Sequence, residues 1–107
     1  HFVWVTNYAA RRGTVFWTDD SLLAGQGTLK FNQRYNPHIY TVEAPDAINP
    51  AWKAHTILRY DENGFGAGVA YSGKNRTVVL GFPFESILKR RQRDDLMARV
   101  LKFLDGQ

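Results

Sequence analysis

Thr77-Val78-Val79-Leu80-Gly81-Phe82-Pro83-Phe84-Glu85-Ser86-Ile87 is the stretch whose reading decides the fold. From Val78 to Phe82 it runs without the polar alternation of a half-wetted strand. It therefore reads as a strand covered on both faces and central in its sheet. Pro83 has no N–H to give to a ladder, so the chain must leave the sheet there, delivering Phe84, Glu85 and Ser86 at the strand's carboxyl end. Ligands gather at that end of open α/β sheets, which makes Glu85 the carboxylate with the most informative address. It is either an acid, base or ligand anchor, or a cap that accepts backbone N–H bonds in the turn at 86–89.

Downstream, Leu96, Met97, Val100, Leu101 and Leu104 recur at helical spacing and form one apolar stripe, predicting a helix over 92–104. Asp94 and Asp95 then fall in its first turn, Lys102 lies near its end and Gly106 stands as a stop, in agreement with the helix dipole and capping rules. Upstream, 55–60, 65–71 and 76–82 are three strands separated by Asp61-Glu62-Asn63-Gly64 and Ser72-Gly73-Lys74-Asn75, loops of hairpin size. This is an antiparallel meander. Gly66, Gly68 and Ala70 share one face of its middle strand, a face bare enough for a ring, a packed helix or a ligand to approach the backbone.

Further upstream, 2–6 and 14–18 are β-branched and aromatic, and the turn chemistry between them suggests a hairpin. A short strand follows at 28–32, another at 39–43, and the prolines at 45 and 50 leave room only for a helical turn carrying Trp52. A strand apolar on both faces needs two covering layers, and only one good helix is in view. Either other strands curl over to supply the second layer, or it comes from a neighbouring segment or a second copy of the chain.

The chain has 107 residues, 44% of them apolar, enough for one core and not two. It begins at His1, so an excised or matured segment is expected. The net charge of +4 comes from Lys89, Arg90, Arg91 and Arg93 alone; the other ten basic residues face ten acidic ones. A single basic cluster without interleaved aromatics is not a nucleic-acid groove, and no nucleic-acid or membrane partner is expected. The absence of cysteine removes disulfides, thiolate metal sites and thiol nucleophiles.

No phosphate-cradling loop, nucleophile elbow or His-Glu-x-x-His motif is present. His1, His38 and His55 stand singly. Asp19 and Asp20 could hold a hard cation but read as turn residues, and no metal or cofactor is expected. Asn75-Arg76-Thr77 has the form of a glycosylation acceptor. The weak catalytic candidates are Glu85, His55 and Tyr71, with Tyr60 as a further partner. Trp4 and Trp17 are candidate sugar platforms, though a Trp on a strand is more often a core residue. Arg59 or Arg76 could neutralise a uronic acid.

Arg59-Tyr60, Ala67 to Tyr71, Val79 to Ile87, Arg93, Leu96-Met97, Val100-Leu101 and Phe103-Leu104, with Tyr40, Pro45-Asp46 and Pro50 upstream, resemble the C-terminal part of large secreted bacterial proteins of the xanthan lyase and golvesin-domain kind. There the segment is similar to the distal portion of a class I glutamine-amidotransferase-like domain, whose cysteine nucleophile this chain lacks. The resemblance implies a secreted or periplasmic, polysaccharide-related parent. The expected class is α+β, a fragment of an α/β type, with a mostly antiparallel mixed sheet and a C-terminal amphipathic helix on one face, in one domain over 1–107. Two functions follow as expectations: a non-catalytic accessory or structural domain that binds polysaccharide through an exposed aromatic, or a lyase or hydrolase fragment using Glu85 with a tyrosine or histidine.

Overall fold

The computed structural model describes residues 2–6, 13–18, 22–33, 42, 45–51 and 53–106. Among the described residues seven strands and one long helix follow in chain order: β1 (Phe2–Thr6), β2 (Thr14–Trp17), β3 (Thr28–Lys30), β4 (Ala47–Pro50), β5 (His55–Tyr60), β6 (Gly66–Ser72), β7 (Arg76–Leu80), a 3₁₀ turn at Phe84–Ser86 and α1 (Arg90–Leu104). Five strands form one sheet in the order β3-β2-β5-β6-β7, and β1 pairs with β4 in a second. Every pairing is antiparallel. The fold is α+β with its helix at the C-terminal end.

The meander forms as its loops dictate. Tyr60 N–H donates to the Phe65 carbonyl, and Gly64 N–H returns a bond to the Tyr60 carbonyl, closing the β5–β6 connection. Directly opposed residues share a face of the sheet, so the register aligns Trp17, Leu58, Gly68 and Leu80 in one row and Val15 with Tyr60 in the next. Beneath these rows lies the main core, which Leu96 and Phe103 of α1 complete.

Two expectations about the deciding stretch are overturned. β7 is an edge strand, and Arg76 to Leu80 are all only half-buried. α1 packs against β7, and as the last strand of the meander β7 has a neighbour on one edge only, which leaves its residues partly open. The deeply buried members of the stretch are Phe82, Ser86 and Ile87, which lie beyond the end of β7. Phe82 stacks on Phe31 at 5.0 Å between ring centroids, and Phe31 meets Tyr60 edge-on at 6.2 Å. The segment 81–87 thus crosses the end of the sheet from β7 to the opposite edge, where Ile87 bridges Phe31.

β1 and β2 do not pair, so the expected hairpin is absent; β1 pairs instead with β4, which ends at Pro50, where the expected turn carrying Trp52 was to begin. Position 52 lies outside the described residues, as do Asp19, Asp20, His1, His38 and most of the expected strand at 39–43. The β1–β4 pair supplies the second layer. β4 lies against β6, and at Gly66 the bare face of β6 meets strand backbone rather than a ring or helix, whereas Gly68 packs against the Ile57 and Leu58 side chains. A Cβ on Gly66 would overlap the Ile48 carbonyl oxygen, and one on Gly81 would overlap that of Asp46. Glycine is required at both positions for this close approach.

α1 starts two residues earlier than its apolar stripe suggests, so its first turn is basic and Asp94 and Asp95 fall in the second. Arg93 folds back to donate to the Ile87 carbonyl at 3.1 Å. Gln92 acts as a mock strand for the sheet edge: it accepts from Lys30 N–H at 3.2 Å and donates to the Thr28 carbonyl at 3.0 Å. Together with the Leu88 N–H bond to the Lys30 carbonyl, it covers the β3 edge that would otherwise invite another strand. No helix among the described residues is long and apolar enough to cross a membrane.

Candidate functional site

The two strand tryptophans have opposite fates. Trp17 is 7% exposed, packed in the main core with the Arg99 guanidinium 5.9 Å from its ring centroid. It presents no face to a sugar, which corrects its candidacy as a platform. Trp4 on β1 is 56% exposed. Its indole N–H donates to Asp46 Oδ1 at 3.3 Å, a bond that restrains the direction of the ring without covering it.

Asp46 is the hub of this site. Its N–H donates to the Gly81 carbonyl at 2.7 Å, and its own carbonyl accepts from the Tyr60 hydroxyl at 2.6 Å. The carboxylate that orients Trp4 is thereby fixed to the end of the deciding stretch and to the core. In sequence Asp46 was visible only as a turn residue between two prolines. Alternation along β1 places Phe2 on the same face as Trp4, and Phe2 is exposed as well. Val3 and Val5, on the other face, are also open.

The acid–base candidates are not brought together. Glu85 is exposed in the 3₁₀ turn beyond the carboxyl end of β7, and no capping bond by its carboxylate is found among the described residues. His55 is exposed at the start of β5, opposite Ala70, and Tyr71 is the next residue along β6. Both therefore lie toward the β6–β7 turn, with the length of β7 between them and Glu85. Tyr60 does lie at the Glu85 end of the sheet, but it is fully buried. Burial raises its phenol above the ordinary tyrosine value, and the nearby Asp46 carboxylate adds to the rise, so the hydroxyl stays protonated.

Neither arginine proposed for a uronate is aimed at an open groove. Arg59 donates to the Gly64 carbonyl at 3.0 Å and staples the β5–β6 loop. Arg76 donates to the Phe103 carbonyl at the end of α1. Among the described residues no group of three or more His, Cys, Asp or Glu side chains is placed to hold a metal ion. Set against family models, curated proteins and solved structures, the chain matches none.

Proposed function

We propose that this chain is a non-catalytic accessory domain of a secreted, polysaccharide-related protein and that it holds a glycan chain on Trp4. The observation that carries the reading is an indole more than half exposed yet tethered by its N–H to a fixed carboxylate. An aromatic face held in one orientation suits the apolar C–H face of a pyranose, because little side-chain freedom is lost on binding. Phe2, two residues along the same face, extends the platform by about 7 Å. The dispersal of Glu85, His55 and Tyr71 favours binding over catalysis, since acid–base work needs groups within reach of one reacting atom.

Titration calorimetry with neutral and acidic bacterial polysaccharides tests the proposal. Binding should fall by about tenfold or more in Trp4→Ala and survive in part in Trp4→Phe, which keeps the ring and loses the tether. A domain that binds none of these glycans, or binds equally well without Trp4, is not a glycan-binding module of this kind.

A further inference from the structure

The apolar stripe of α1 is only half used by its own fold. Leu96 and Phe103 are buried and Val100 packs against the core, whereas Met97, Leu101 and Leu104 are 39%, 58% and 43% exposed. These three stand at i, i+4 and i+7, the spacing of a coiled-coil seam. Extended toward the N-terminus, the seam takes in Asp94 and Arg90. Leu101 and Leu104 also line a shallow open groove with Lys102 and Asp105.

The two flanks of the seam differ. On one side Arg93 reaches the Ile87 carbonyl and Val100 contacts the core, so that flank is occupied by the domain itself. On the other, Arg91, Ala98 and Asp105 recur every seven residues, all exposed. Their order is positive, small, negative. In an antiparallel pair of identical helices the residues of this flank meet each other across a two-fold axis. Ala98 then faces Ala98 of a second copy, allowing close approach, while Arg91 of each copy faces Asp105 of the other. The same register interleaves Met97 with Leu101 and leaves Asp94 opposite Leu104 at the wet outer layers. In a parallel pair this flank would instead face the opposite flank of the partner, that of Arg93 and Val100, which the domain itself occupies.

We propose that α1 is a homodimerisation surface, occupied by the α1 helix of a second copy of this chain in antiparallel orientation. This charge pattern complements itself only in that arrangement. The surface is separate from Trp4, so glycan binding and self-association are independent of each other.

Sedimentation analysis of the full 107-residue chain over a concentration series tests the proposal. A reversible dimer is expected, with a dissociation constant raised about tenfold or more by Leu101→Glu. Leu101 is exposed, so that variant should keep its fold, checked by circular dichroism. Arg91→Glu alone should weaken the dimer about threefold by opposing Asp105 with a like charge, and Arg91→Glu combined with Asp105→Arg should restore it. A chain that stays monomeric up to the order of 1 mM overturns the proposal. A dimer indifferent to Leu101→Glu, or a charge swap that fails to restore association, overturns it equally.

Discussion

Arg76 holds Phe103 twice: its Nη1 donates to the Phe103 carbonyl at 3.0 Å, and its guanidinium sits 5.1 Å from the centroid of the Phe103 ring. One side chain on the edge strand thus caps the carbonyl end of α1 and presses the last buried residue of that helix onto the sheet. A cation at this end also complements the helix dipole.

Replacing Arg76 by Ala should destabilise the domain by about 2 kcal/mol, the sum of a charge-assisted hydrogen bond and a partly desolvated cation–π contact. The midpoint of thermal unfolding should fall by roughly 10 °C. Arg76→Lys should recover little of this, because an ammonium keeps the charge without the planar stacking fork. A lysine variant as stable as the parent would show that charge alone matters.

Tyr60 makes stability depend on pH in the alkaline range. The unfolded phenol ionises near 10, whereas the folded one is raised by burial and by Asp46. The folded state therefore keeps a proton that the unfolded chain gives up, so this contribution is fully present below about pH 10 and is lost as the pH rises above it. Tyr60→Phe should cost about 1–2 kcal/mol near pH 8, since the Asp46 carbonyl loses its 2.6 Å donor. Its urea midpoint should decline less steeply than that of the parent above pH 10, and parallel declines would assign the alkaline loss to other groups.

Gly66→Ala and Gly81→Ala should each be destabilising by about 3 kcal/mol. In both cases the added methyl meets a backbone carbonyl, of Ile48 and of Asp46, rather than a side chain that could swing aside. Because Gly81 also accepts the Asp46 N–H, its variant should loosen the Trp4 tether and shift the tryptophan emission toward that of free indole. Chemical denaturation followed by fluorescence measures both effects, and unchanged midpoints would place β4 further from β6 than described.

The residues themselves determined the C-terminal helix, the meander from His55 to Leu80 and the departure of the chain from the sheet by Pro83. Each is governed by neighbours within a few positions: helical and strand periodicities, turn residues with defined backbone preferences, and a proline without a donor. Tertiary structure alone decided that β7 lies at an edge, that β1 finds β4 some forty residues away, and that Trp17 is buried while Trp4 is open. An apolar pattern states that a side chain seeks cover, not which element supplies it; Val78 to Leu80 and Met97, Leu101 and Leu104 carry the same signal with different outcomes. Asp46 became the centre of the candidate site only because a glycine-permitted approach of two backbones brought it between Trp4, Tyr60 and Gly81, a coincidence in space that no local spacing encodes.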